Sequence, residues 1–181
     1  MPPSFFLLNM KKSITFLVCL FCIGMAYAEK LSDRYVVRPV QEGLLYFIKP
    51  YELPSQQRKI DDASIDITYL VTWDSVTLNM SIYLPEVIGA DSIVFTGEQS
   101  MTFTQFETFF IDTNKKNQFV HRYSCKVPYL YIKTLYNNEK PYRMTIYSKG
   151  QSFAYGFSTK SWDKERKPMG QIFMLIDRNK L

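Results

Sequence analysis

His121, the only histidine in the chain, stands four residues before Cys125. These are the residue types of a nucleophile and its general base. The run around them, Gln118 to Ser124, reads as a β-strand, which would aim both side chains at one face. At ~3.3 Å per residue their backbones would lie ~13 Å apart. Proton transfer needs heavy atoms within about 3 Å of each other, so a dyad inside this strand is not expected. A serine triad would need His121 to meet partners from elsewhere, and no G-x-S-x-G turn is present to present the serine.

Metal and phosphate chemistry fare no better. One histidine and one cysteine do not make an ordinary structural zinc site, and no H-E-x-x-H helix occurs. Asp112-Thr113-Asn114 opens like a calcium loop, but Lys115 and Lys116 follow where further oxygen ligands belong. The 7 glycines are scattered and form no phosphate-cradling loop. No cofactor and no metal are expected. Glu52, Glu98, Glu107 and Asp112 lie in or near strand-like runs. A pair of them converging in three dimensions would permit carboxylate-dependent glycoside hydrolysis, which stands as one alternative function.

Recognition suits the side chains better. Tyr129, Tyr131 and Tyr136 flank one strand-like run and Tyr147 lies on a later one. Tyrosine offers an apolar body with a polar tip, as sugar rings and protein partners require, and these four are the candidate binding residues. The competing reading is that most of them fill the core. Lys164, Arg166, Lys167, Arg178 and Lys180 gather near the C-terminus. They are suited to contact with a membrane surface of anionic headgroups or with an acidic polysaccharide, or else they are the solvated face of a helix. Asn79-Met80-Ser81 matches a glycosylation acceptor, but in mid-strand.

Location narrows these options. Lys11 and Lys12 precede an unbroken apolar run from Ile14 to Met25, and Ala26-Tyr27-Ala28 has the A-x-A form of a cleavage site. Residues 1–28 are therefore expected to be a secretory signal peptide, with Met1 to Asn9 an upstream extension, and the mature chain to begin near Glu29. The apolar run is too short for the ~20 residues that span a bilayer. Cys19 and Cys22 follow Val18 and Phe21, not the small residue a bacterial lipobox needs. The product is expected to be soluble after cleavage and exported, periplasmic or secreted. Its formal charge of +5 falls by two with the signal, which makes no case for nucleic acid. Cys125 alone would survive, so no internal disulfide is available and the domain must stand on its core.

The elements that would position these residues are mostly strands. Ile65, Ile67, Tyr69, Val71 and Trp73 alternate with mostly polar neighbours, and after Asp74-Ser75 the alternation resumes through Val76, Leu78, Met80, Ile82 and Leu84. A two-residue loop at Asp74-Ser75 predicts pairs from Trp73 with Val76 to Ile65 with Leu84. A second hairpin around Lys149-Gly150 pairs Ile146 with Phe153, Met144 with Tyr155, and Tyr142 with Phe157. Further strands are expected over Leu44–Lys49, Ser92–Thr96, Phe106–Ile111, Gln118–Ser124 and Tyr129–Tyr136, after a loose N-terminal arm. Trp162, Met169, Ile172, Phe173 and Ile176 then fall within about 100° on a helical wheel. They predict a short amphipathic helix around 161–178, capped by Ser161, with Pro168 in the first turn of a shorter version and a strand from Gln171 to Ile176 as the alternative.

Residues 29–181 are thus expected to form a single β-rich domain, an antiparallel β-sandwich, with a β-barrel as the alternative. The expected function is that of an exported, non-enzymatic domain binding a partner protein or a surface glycan. A barrel carrying a small apolar ligand is the other alternative beside the hydrolase. Oligomeric state is left open.

Overall fold

The computed structural model describes residues 31–180, and the expected signal peptide at 1–28 lies outside the described residues. From Val36 onward the chain forms one compact unit. Among the described residues ten strands run in order β1 (Tyr35–Val40), β2 (Gly43–Leu53), β3 (Ala63–Leu70), β4 (Ser75–Leu84), β5 (Ser92–Thr96), β6 (Ser100–Phe103), β7 (Glu107–Thr113), β8 (Phe119–Pro128), β9 (Arg143–Ser148) and β10 (Gln151–Gly156). Helix α1 (Tyr129–Asn137) separates β8 from β9, and α2 (Thr159–Arg178) ends the chain. The strands form a six-stranded sheet, β1-β2-β3-β4-β8-β7, and a four-stranded sheet, β10-β9-β5-β6. The two antiparallel sheets pack together as a sandwich, without closing into a barrel.

Alternation explains the core. Ile65 and Ile67 of β3, Leu78, Met80 and Ile82 of β4, and Tyr123 and Val127 of β8 are all buried. From the other sheet come Ile93, Phe95, Met144, Ile146 and Tyr155, also buried. Period-two spacing puts each set on one face of its sheet.

The β9–β10 hairpin has the expected register, with Phe153 opposite Ile146 and Tyr155 opposite Met144. Lys149 (φ 45°) and Gly150 (φ 82°) both take positive φ, as a two-residue type I′ loop demands. The remaining expected pair, Tyr142 with Phe157, lies past the ladder, where the rings meet edge to face at 6.4 Å. The β3–β4 hairpin differs. Ile65 pairs with Met80 and Ile67 with Leu78, so each partner shifts by four residues from the expected one. The loop is wider because Trp73 N–H donates to the Leu70 carbonyl at 2.9 Å, and the Tyr69 hydroxyl donates to the Trp73 carbonyl at 2.9 Å. An even shift keeps the apolar face inward. Trp73 leaves the sheet and is exposed, with the Lys126 ammonium 4.5 Å from its ring centre.

Tyr129–Tyr136 is the main correction, because it is helix α1 and not a strand. Tyr129 and Tyr131 mimic strand alternation, yet Tyr129, Ile132, Leu135 and Tyr136 recur at helical spacing and are buried together. Pro128 ends the preceding strand. The supposed loose arm holds β1, and β6 is a further strand that alternation did not announce. Helix α2 begins at Thr159 and its cap is Ser158, not Ser161: the Ser161 N–H donates to the Ser158 hydroxyl at 3.2 Å. Pro168 lies inside the helix. It removes one hydrogen bond at roughly 3 kcal/mol. Burial of the five predicted apolar residues, at roughly 1.5–3 kcal/mol each, outweighs that.

Candidate functional site

His121 and Cys125 belong to the core. His121 is buried on β8 opposite Ile82, and Cys125 is buried opposite Leu78. His121 Nε2 lies 3.2 Å from the Glu86 carbonyl, which can only accept, so Nε2 carries the proton and Nδ1 is a bare acceptor with no partner among the described residues. Desolvation lowers the His121 pKa against the smaller opposing effect of that carbonyl. Desolvation also pushes the Cys125 thiol up to about 12, far from the thiolate a nucleophile needs.

The four candidate tyrosines do not come together. Tyr129, Tyr131 and Tyr136 are buried on α1, while Tyr147 on β9 is 45% exposed. The Tyr129 hydroxyl donates to Asp177 Oδ1 at 2.7 Å. Tyr136 shares a knot of hydroxyls with Tyr51 and Tyr142, in which Tyr51 and Tyr142 lie 3.0 Å apart. Burial raises the Tyr142 pKa to about 12, so these hydroxyls stay protonated donors and acceptors to one another.

The carboxylates are also dispersed. Glu52 lines an open recess of about 470 Å³ with Asp61, Asp62, Tyr83 and Lys116. There Asp61 pairs with Lys116 at 2.8 Å, and that hydrogen bond lowers the Asp61 pKa. A general acid requires the opposite displacement. Glu107 lies in a different groove, and Asp112 Oδ1 accepts the Thr113 N–H at 2.7 Å. Glu98 is exposed in the β5–β6 turn. Asn114 Oδ1 accepts the N–H groups of Lys116 and Gln118, which makes the Asp112–Gln118 stretch a turn. Among the described residues no three metal-ligating side chains cluster. Asn79 of the acceptor motif donates to Asp66 at 2.7 Å, within a network that includes Arg122.

The surface that the fold leaves open is one flank of the sandwich. Strand β7 ends the six-stranded sheet, β6 ends the four-stranded one, and residues 104–106 join them. All of β7 is exposed, including three consecutive large apolar residues: Phe109 (58%), Phe110 (47%) and Ile111 (41%). Strand β8 pairs with β4 over its whole length but with β7 only from Phe119 to Ser124. Beyond Ser124 a groove of about 920 Å³ opens, lined by Phe103, Phe106, Glu107, Phe109, Ser124 and Lys126 among others. A bulge at Phe109 bends β7 there.

The other long edges are blunted. Gln56 N–H donates to the Ala154 carbonyl and Gly156 N–H to the Pro54 carbonyl, each at 2.8 Å, so the segment after β2 closes the edge of β10. Strand β1 carries Arg38 and Pro39. Sequence reasoning missed the flank because Phe109-Phe110-Ile111 does not alternate, and a continuous apolar run reads as a buried strand. Comparison with protein-family models, with curated proteins and with solved structures finds no match.

Proposed function

We propose that this chain is an exported, non-enzymatic β-domain that binds a partner protein, and that an extended segment of the partner adds along β7 at the open flank. The observation that carries the reading is the contrast among edges: β10 is closed by its own chain, whereas among the described residues no strand pairs with the outer side of β7, beside Phe109, Phe110 and Ile111. Strand addition supplies main-chain hydrogen bonds, and a neighbouring groove supplies selectivity for side chains. The groove past Ser124 lies in line with β7 along β8, where such a segment would run on. A glycan is less well served, because Tyr147 stands without the other candidate tyrosines on the surface. A carrier is less well served because the sheets do not close into a barrel.

The test is site-specific photo-crosslinking in the native host, with the photoreactive residue at Phe109 and a control on the opposite sheet at Thr145. A discrete adduct at 109 that is absent at 145 and lost on adding Phe110→Asp is expected. Equal adducts at both positions, or an adduct unchanged by Phe110→Asp, would sink the reading.

A further inference from the structure

Helix α2 has a second face that the sandwich does not use. At 100° per residue, Lys160, Lys164, Lys167, Gln171, Met174 and Arg178 fall within about 80° of one another. This sector lies opposite the buried stripe of Trp162, Met169, Ile172, Phe173 and Ile176. Lys160, Lys164, Lys167 and Arg178 are all exposed, and none forms an ion pair among the described residues. The acids of the helix fall outside the sector. Asp163 is held by Arg166 at 2.7 Å and Asp177 by Lys133 at 2.5 Å. Four unneutralised cations therefore run along roughly 27 Å of rigid helix.

Two apolar side chains accompany them. Met174 stands in the sector itself and is 55% exposed. Leu130 on α1 is 70% exposed, three residues from Lys133, whose ammonium bonds Asp177 one helical turn from Met174. Unpaired cations with exposed apolar residues beside them match a bilayer interface, where phosphates meet the first methylenes, better than they match a soluble polyanion. Among the described residues no helix is long and apolar enough to cross a membrane. We infer that the exposed face of α2, with Leu130 beside it, docks flat on a membrane surface rich in anionic lipid. The helix axis lies parallel to that surface and the sandwich remains outside it.

The test is vesicle co-sedimentation of the full chain, with one N-terminus common to all proteins so that residues 1–28 contribute equally. Vesicles of phosphatidylcholine alone are compared with vesicles containing phosphatidylglycerol. Binding is expected only with the anionic lipid and is expected to fall as salt rises. Lys160→Gln, Lys164→Gln and Lys167→Gln together should weaken it roughly a hundredfold. Leu130→Ser with Met174→Ser should weaken vesicle binding while leaving retention on a heparin column unchanged. Circular dichroism confirms that these exposed variants are folded. Equal binding to both vesicle types, no loss in the triple variant, or heparin binding without vesicle binding would each overturn the inference. The last result would assign the face to a soluble polyanion.

Discussion

The Lys180 ammonium sits 3.4 Å from the centre of the Tyr129 ring, and that ring stacks on Tyr69 at 4.5 Å. Asn179 adds a hydrogen bond of 2.7 Å to the Tyr46 hydroxyl. The end of α2 is thus fastened to α1 and to the six-stranded sheet through residues beyond its last turn. A partly buried cation over an aromatic face contributes roughly 0.5–2 kcal/mol. Lys180→Gln should therefore lower the free energy of unfolding by about 1 kcal/mol, read from urea titration. No change would mean that the clasp is an unstrained surface contact.

The same clasp contains a pH-dependent element. Burial pushes the Asp177 carboxyl up, but hydrogen bonds from Lys133 and Tyr129, with the nearby positive charges, outweigh it and hold the pKa below its ordinary value. A carboxyl depressed in the folded state contributes stability above the unfolded-state pKa of about 4, and loses it as pH falls through the folded value. The stability difference between the parent and Asp177→Asn should be constant from about pH 6 to 8 and shrink below about pH 4. A difference that grows on acidification would reverse the assignment.

His121 acts in a higher pH window. Its pKa is lowered, chiefly by desolvation, so the unfolded chain takes up the proton first. Stability is then complete above the unfolded pKa of about 6.5 and falls as pH drops through it toward the folded value. His121→Gln keeps a donor for the Glu86 carbonyl and removes the titration. Urea midpoints measured between about pH 7.5 and 5 should decline less steeply in this variant than in the parent. Parallel declines would show that other groups control acid sensitivity.

How far the sequence could be read depended on whether one period dominated. Trp162, Met169, Ile172, Phe173 and Ile176 share a helical face, and although Gln171 to Ile176 alone also reads as a strand, the longer period made α2 and its buried side legible. Lys149-Gly150 admits a two-residue turn, and the β9–β10 register followed from it. At Asp74-Ser75 alternation fixed which face is buried but not the loop length. That length was decided by Tyr69 and Trp73 folding back on one another, which no local pattern encodes. Tyr129-Leu130-Tyr131 satisfies both periods, and the helix wins because α2 packs on it. The open flank was hidden for a related reason: exposure of Phe109 and Phe110 depends on what lies beyond β7, and here nothing of the described chain does.

The β9–β10 turn should respond to backbone preference alone. A Cβ at Gly150 would meet nothing within 4 Å, so steric contact does not enter, but φ is +82°. Gly150→Ala should cost about 1 kcal/mol through the left-handed conformation. Lys149, at φ 45°, already bears such a strain, and Lys149→Gly should stabilise by several tenths of a kcal/mol up to about 1. Thermal unfolding of the two variants should shift in opposite directions, and a shared direction would mean that the turn is not type I′.

The exposed edge separates folding from recognition. Phe110 pairs across β8 with Arg122 on the outer face and is 47% exposed, so its ring contributes little to the core. Phe110→Asp should change the unfolding free energy by less than about 0.5 kcal/mol. It should also remove the photo-adduct at Phe109, since the charge would have to be desolvated wherever an added strand covers it. Tyr155→Phe makes the matching comparison from the interior. Its hydroxyl is buried with no hydrogen-bond partner among the described residues, so removing it should preserve both the fold and the adduct. If Phe110→Asp instead unfolds the protein, the flank is part of the folding core and β7 is not a docking edge.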